Sequence, residues 1–185
     1  MFLTPAKLAS AIPVVKFLPI SGWVGKIEND FPPTSFHHIC FTVPRELRPL
    51  LDECRFLLNY LFEASAQTVL SWSKQRHFLP AMVSSCHTFG RDLKFHPHLH
   101  MLMSSGGIDL KSKRINRWKS CPFIPYKMLH QRYRSLLLKG LKQAIRKYLK
   151  ENPDPRKLSV FSHPGVLDSF FGPLLKINWY VHDST

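Results

Sequence analysis

The amino-acid sequence predicts an α+β fold, in which an antiparallel sheet carries a histidine motif and the helices pack mainly on one face of that sheet. Two long segments have apolar residues at three- and four-residue spacing, which is typical of helices. Shorter segments rich in β-branched and aromatic residues lie around them and end at proline or glycine. The predicted order is strand, long helix, two strands, basic helix and strand.

The composition indicates one globular domain. The chain has 185 residues, of which 44% are apolar, so it can bury a hydrophobic core. Its four cysteines are widely spaced and form no CxxC pair, which favours a reducing compartment over a disulfide framework. We find neither a signal peptide nor an apolar run long enough to span a membrane. We therefore expect a cytoplasmic protein with no membrane contact and no small-molecule substrate.

Two regions differ in their patterning. Residues 1–35 are rich in proline and lack sustained periodicity, so we interpret them as a divergent, poorly packed lead-in. Residues 36–182 contain the periodic segments and form the predicted core domain.

The first predicted strand and helix are adjacent. Residues 37–43 are β-rich and stop at Pro44, which cannot donate to a sheet ladder. Apolar residues then recur at helical spacing from Arg45 to Arg76, and Pro80 prevents continuation. The acidic Glu46 suits the start of a helix, where the dipole favours negative charge.

The middle of the chain predicts an antiparallel strand pair. Residues 82–88 and 97–103 are β-type runs separated by a polar loop with a turn at Gly90. The second run ends at two consecutive glycines, Gly106 and Gly107.

The last third predicts a basic helix and a final strand. Residues 110–150 contain 13 Lys and Arg and no acidic residue. Within this stretch, residues 128–149 have helical apolar spacing, residues 152–157 form a loop, and residues 174–181 alternate as a strand would.

Four histidines lie within residues 87–100. His98 and His100 are two residues apart, so on a strand both side chains project from the same face. If the preceding run pairs back across the hairpin, His87 can lie beside them and complete a three-imidazole metal site. His96 precedes a proline and is the alternative third ligand, although a loop or supporting role suits it better.

Such a site suits phosphate chemistry. A divalent ion held by neutral imidazoles with open positions polarises a phosphoryl oxygen and orients the phosphate for in-line displacement. We expect Mg²⁺ or Mn²⁺ as the ion in use, although imidazole ligands also accept Zn²⁺ or Ni²⁺.

The charge balance predicts a nucleic-acid partner. There are 26 Lys and Arg against 12 Asp and Glu, a net charge of +14, and such a surface attracts phosphate backbones. Trp118 and Tyr133 are candidates for stacking on bases, and a place in the core is the alternative for Tyr133. The candidate DNA-binding residues are basic side chains of the acid-free stretch, namely Lys111, Lys113, Arg114, Arg117, Arg132 and Arg134.

Three segments resemble one protein family. The residues His98-Leu99-His100 match the His–hydrophobic–His signature of the HUH endonuclease superfamily. The segments His38–Leu47 (HICFTVPREL), His87–Leu93 (HTFGRDL) and His96–His100 (HPHLH) are similar to the two-tyrosine, rolling-circle insertion-sequence transposases within it. The resemblance covers about residues 35–182 and is most specific at residues 86–107.

The resemblance implies a DNA transposase. Members of this family cut one DNA strand, single-stranded or at a hairpin end, with a tyrosine that becomes linked to the 5′ phosphate. His98, His100 and His87 correspond to the metal ligands. The sequence has no Tyr-x-x-x-Tyr pair, so the resemblance places the nucleophile beyond Thr185 and implies a copy truncated at both ends. Tyr180 is interpreted as a strand residue.

Three alternatives stay open at this point. The chain is a nucleic-acid-binding remnant without catalysis, a replication initiator or relaxase of the same superfamily, or a structural zinc protein that uses histidine alone. The absence of a tyrosine from residues 1–36 counts against a relaxase, and the lack of cysteine near the histidines counts against structural zinc.

Overall fold

The computed structural model describes residues 34–90, 92–111, 118–121, 124–152 and 156–183. Most of the predicted lead-in, residues 1–35, lies outside the described residues, so the predicted domain boundary stays a prediction.

The strands are numbered in chain order, and four of them form the main sheet: β1 (Phe36–Thr42), β3 (Met82–Phe89), β4 (Phe95–Ser104) and β7 (Val181–Asp183). They are antiparallel and lie in the order β3-β4-β1-β7. The predicted first strand and the predicted hairpin are therefore confirmed. The hairpin register shifts by a bulge between His87 and Phe89, and Gly90 donates its backbone N–H to the carbonyl of Lys94 across the turn (3.0 Å).

The predicted first helix is interrupted. A 3-10 turn (Arg45–Leu47) leads into α1 (Arg48–Glu53), and a second 3-10 turn (Arg55–Leu58) leads into α2 (Asn59–Gln75). The break lies at Cys54, whose backbone (φ −119°, ψ 69°) is not helical. Apolar residues keep their three- and four-residue steps through the break, so their periodicity did not reveal it.

The basic helix forms as predicted and is slightly longer. Helix α3 (Tyr126–Glu151) packs beside α2, and both cover one face of the main sheet. Tyr133 on α3 is fully buried and contacts Phe41 of β1 and Trp179, with ring centroids 4.9 and 5.8 Å apart. The core alternative for Tyr133 is thus correct, and base stacking by this ring is excluded by its burial. The side chain of Trp118 lies outside the described residues.

The end of the chain differs from the prediction. Residues 174–181 were expected to form a strand, but Leu174 is the last residue of helix α4 (Val166–Leu174). The indole N–H of Trp179 donates to the Leu174 carbonyl (2.9 Å), which folds the intervening residues into a loop. Only the last predicted residue, Val181, belongs to β7.

A small second sheet was not predicted. It contains β2 (Phe78–Leu79), β5 (Gly106–Asp109) and β6 (Trp118–Ser120) in the order β2-β5-β6. A Cβ atom at Gly107 would lie 2.0 Å from the carbonyl oxygen of Leu79, so the pairing of β2 with β5 requires glycine there. Gly107 thus permits a close strand approach.

The predicted fold class is confirmed: the structure is α+β, with antiparallel sheets and a histidine triad on the larger one. Among the described helices, none is long and apolar enough to cross a membrane.

Candidate metal centre

Three imidazoles meet on the main sheet. Each of His87, His98 and His100 offers a ring nitrogen, and these three atoms lie within 4.8 Å of one another. The ring centroids are 4.5 Å apart for His87 and His100, 5.0 Å for His98 and His100, and 5.3 Å for His87 and His98. We call this group the histidine triad.

Strand geometry explains why these rings share a face. His87 and His98 are direct partners across the hairpin, so their side chains point to the same side of the sheet. His100 follows His98 by two residues and points the same way. Leu99, between them, points to the other side and is fully buried beneath the helices. The triad therefore lies on the face opposite α2 and α3.

Hydrogen bonds orient two of the rings. The Nδ1–H of His98 donates to the backbone carbonyl of His96 (2.7 Å), which leaves Nε2 of His98 with an available lone pair. Nδ1 of His100 lies 2.9 Å from Nε2 of His38, so Nε2 is the nitrogen of His100 that lies outside this contact. In both rings Nδ1 makes the contact within the sheet and Nε2 remains for a ligand.

The geometry fits a divalent ion. Two nitrogens bound to one ion lie at most about 4.2 Å apart when each metal–nitrogen bond is about 2.1 Å. The triad nitrogens are within 4.8 Å of one another, so small ring rotations bring them to ligating distance. Three imidazoles leave further coordination positions for water or substrate oxygens.

The electrostatics of the site keep one ring neutral. Burial, followed by the electrostatic effect of the neighbouring His87, His98, His38 and His182, lowers the pKa of His100 to about 4. A neutral imidazole is the form that binds a metal ion, because a protonated ring has no free lone pair. His100 is therefore competent as a ligand at neutral pH.

His96 is not part of the triad. Its ring centroid is 5.4 Å from that of His98, a separation similar to those within the triad, but its nitrogens are not among the atoms that converge. Burial, followed by the positive charge of Arg48, holds the pKa of His96 below its usual value. Its backbone carbonyl orients His98, which is the supporting role that its sequence position indicated.

Two further histidines on this face were not singled out from the sequence. His38 on β1 lies against His100, with ring centroids 4.9 Å apart, and His182 on β7 pairs with Cys40 of β1. Cys40 is itself the partner of His100. Their strands are far apart in the chain, so only the strand order shows that these histidines share a face with the triad.

Among the tyrosines, Tyr180 lies in the loop just before β7, where its backbone contacts β1. Thr42 is the partner of His98 and donates its backbone N–H to the carbonyl of Tyr180 (3.1 Å). Tyr180 is 66% exposed, and its position next to Thr42 puts it about two strand spacings, roughly 9.6 Å, from His98. Tyr60, Tyr126, Tyr133 and Tyr148 belong to α2 and α3.

The candidate DNA-binding residues are dispersed. Lys111 is exposed just after β5, and its backbone N–H bonds the Asp109 carboxylate (2.9 Å). Arg132 lies on α3, on the other side of the sheet from the triad, and Arg134 donates to the backbone carbonyl of Ile177 (3.4 Å). This contact gives Arg134 a structural role. The other three predicted residues, Lys113, Arg114 and Arg117, lie outside the described residues.

Comparison with known proteins identifies relatives. The sequence profile of a family described as "Putative transposase" (Y2_Tnp) matches residues 81–184, which is more than half of the chain. The chain is 33% identical over 101 residues to the transposase for insertion sequence element IS801 of Pseudomonas savastanoi pv. phaseolicola. That alignment covers 55% of this chain and 24% of the relative.

A second relative aligns over more of the chain. The putative transposase y4qJ of Sinorhizobium fredii (strain NBRC 101917 / NGR234) is 27% identical over 172 residues, which cover 86% of this chain and 40% of the relative. The chain therefore spans less than half the length of either curated relative. No solved structure matches this chain.

Proposed function

Because this chain belongs to the "Putative transposase" (Y2_Tnp) family, we propose that it is the metal-binding core of a DNA transposase that cuts one strand and transfers it. The single observation that carries this proposal is the convergence of His87, His98 and His100 on the open face of the sheet. The resemblance of the same residues to the HUH signature supports it. DNA is the proposed substrate and partner.

The chain's own residues would hold and orient the reacting phosphate. When bound to the triad, Mg²⁺ or Mn²⁺ supplies positive charge that stabilises the phosphoryl oxygens during displacement. His87, His98 and His100 fix the position of that charge because they project from two paired strands, which are more rigid than loops. The hydrogen bond from His98 to the His96 carbonyl keeps one ligand in a single orientation.

The charge of the chain supports a DNA partner. A net charge of +14 favours binding to a phosphate backbone, whatever its base sequence. An exposed strand face admits a single strand or a hairpin end whose phosphate must approach the triad. We therefore propose single-stranded or hairpin DNA as the substrate.

The proposed nucleophile is a tyrosine, as the family resemblance implies. A tyrosine attacks phosphorus only if its hydroxyl reaches the phosphate held at the triad. Tyr180 lies in the loop just before β7, so its interpretation as a strand residue is wrong, and a role as the nucleophile can be tested directly.

The test uses a labelled hairpin oligonucleotide with the purified chain, with and without Mn²⁺. We expect Mn²⁺ to strengthen binding of the wild-type chain and to have no such effect on His98→Ala. Equal binding by both proteins under both conditions would refute the triad as the phosphate site. A covalent protein–DNA adduct that persists on a denaturing gel and is lost in Tyr180→Phe would move the nucleophile to Tyr180.

A DNA-binding protein without catalysis is the second candidate. A net charge of +14 supports DNA binding with or without catalysis. It predicts salt-sensitive DNA binding that does not depend on Mn²⁺, whereas the proposed transposase core predicts that the metal contributes.

A further inference from the structure

We propose that His38 is a positioning residue for the metal centre: its ring accepts a hydrogen bond from Nδ1–H of His100, which leaves Nε2 of His100 to bind the ion. This inference rests on the proposed function of the triad as a metal site. It assigns a role to His38, which was not among the candidate site residues predicted from the sequence.

The contact between the two rings is direct. Nε2 of His38 and Nδ1 of His100 are 2.9 Å apart, which is a normal hydrogen-bond distance, and the ring planes are tilted by 34°. The residues are 62 positions apart in the chain and meet because β1 pairs with β4. In that ladder, His38 is opposite Leu102 and His100 is opposite Cys40, so the two histidines are diagonal neighbours on one face.

The proton count of the imidazoles fixes the direction of the bond. A neutral imidazole carries one N–H, and its other nitrogen is an acceptor. If Nε2 of His100 binds the ion, then Nδ1 of His100 must carry the proton and needs an acceptor. His38 supplies that acceptor only when it is neutral and carries its own proton on Nδ1.

The same arrangement occurs at the neighbouring ligand. Nδ1–H of His98 is held by the carbonyl of His96, so Nε2 of His98 is committed in the same way. A backbone carbonyl cannot be removed by substitution, whereas the His38 ring can. Partners of this kind fix ligand orientation and raise ligand basicity, and their removal typically lowers metal affinity about 10–100-fold.

His182 provides a matched comparison. It is a histidine on the same face, and it lies next to Cys40, the residue opposite His100. It is exposed, and among the described contacts it makes no hydrogen bond to His100. Both His38→Ala and His182→Ala remove one imidazole from the face that carries His100, but only the first removes the acceptor.

The first experiment is calorimetric titration of Mn²⁺ into the wild-type chain, His38→Ala, His38→Gln, His182→Ala and His98→Ala. We expect His38→Ala to weaken Mn²⁺ binding about 10–100-fold. His38→Gln should recover part of the loss, because an amide oxygen can accept the same bond. His182→Ala should bind as the wild type does, and thermal unfolding of each variant checks that it is folded.

The second experiment reads the tautomer without metal. Long-range ¹H–¹⁵N NMR of the histidine rings should show His100 protonated at Nδ1 in the wild-type chain and in His182→Ala. In His38→Ala, where the acceptor is missing, the His100 ring should populate both tautomers.

The outcomes separate the two proposals. If His98→Ala abolishes Mn²⁺ binding while His38→Ala retains full affinity and a single His100 tautomer, the role of His38 is wrong and the metal site stands. If the wild-type chain binds no Mn²⁺, or His98→Ala binds it equally well, the metal site is wrong and the role of His38 falls with it. The hydrogen-bond role would also be overturned if His38→Ala lost Mn²⁺ affinity, His38→Gln did not recover it, and the His100 tautomer stayed unchanged in His38→Ala.

Discussion

The two faces of the main sheet carry opposite kinds of side chain, and residues 98–100 show the contrast within three positions. Leu99 is fully buried beneath the helices, whereas His98 and His100 lie on the other face and are partly accessible. Because side chains alternate along a strand, β4 holds the fold together with one set of residues and forms the site with the other. Stability and binding should therefore respond separately to substitutions at adjacent positions.

The largest effect on stability is expected at the buried position. Leu99→Ala removes a side chain from the closed core and should lower the free energy of unfolding by about 2–5 kcal/mol. Chemical denaturation followed by circular dichroism measures this change. A cost below about 1 kcal/mol would show that this face is not the closed core that the structure describes.

The neighbouring histidines should show the reverse behaviour. His98→Ala and His100→Ala each remove a ligand and should lower Mn²⁺ affinity by more than about 100-fold. The free energy of unfolding in the absence of metal should change by less than about 1 kcal/mol, because neither ring is part of the hydrophobic core. If the variants that lose Mn²⁺ affinity also failed to fold, the claim that one face provides stability and the other provides metal binding would be contradicted.

Substitutions of basic residues on the two sides of the sheet should have smaller effects, which are measured as changes in the salt dependence of DNA binding. Lys94 is exposed in the turn of the β3–β4 hairpin that carries the triad, whereas Arg132 lies on α3 beyond the sheet. Loss of one phosphate contact in Lys94→Ala should reduce the slope of log affinity against log salt by about 1. Arg132→Ala should leave the slope unchanged.

Fluorescence anisotropy of a labelled oligonucleotide at several salt concentrations measures both variants. If Arg132→Ala reduced the slope and Lys94→Ala left it unchanged, the sequence-based prediction of Arg132 as a DNA contact would be supported. The DNA would then lie on the helical side of the sheet.

The smallest effect is expected from a histidine on the helical side. Nε2 of His130 accepts the backbone N–H of Trp179 (2.9 Å), and burial, followed by the charge of Arg134, lowers the pKa of His130. The folded state therefore resists protonation more than the unfolded state, whose histidine pKa is about 6.5. The stabilisation that neutral His130 provides is present above about pH 6.5 and is lost as the pH falls below that value.

The matched variant is His130→Gln, whose amide oxygen can accept the same N–H without titrating. Between pH 7 and pH 5, the midpoint temperature of thermal unfolding should fall less for His130→Gln than for the wild type. Identical pH profiles for the two proteins would show that His130 does not contribute to the acid sensitivity.

Residue spacing in the amino-acid sequence was sufficient to predict those parts of the site whose residues lie close together in the chain. The two-residue spacing of His98 and His100 gave their shared face, and the hairpin signal gave His87 as their neighbour. The apolar spacing of α3 predicted its position, although the helix is longer by two residues at each end.

Features that depend on distant strand pairing could not be predicted in this way. His38 and His182 join the triad face only because β1 lies between β4 and β7. The apolar residues at 174–181 fit a strand by alternation, but the bond from Trp179 to Leu174 and the end of α4 determine their conformation. The small second sheet is built from strands of two to four residues, too short for a periodic signal.

The most direct test of the central claim is pulsed electron paramagnetic resonance of Mn²⁺ bound to the purified chain, which detects the histidine nitrogens coordinated to the ion. We predict coupling to three imidazole nitrogens in the wild type, to two in His87→Ala and to three in His96→Ala. Bound Mn²⁺ without imidazole coupling would contradict the claim that the triad is a metal site.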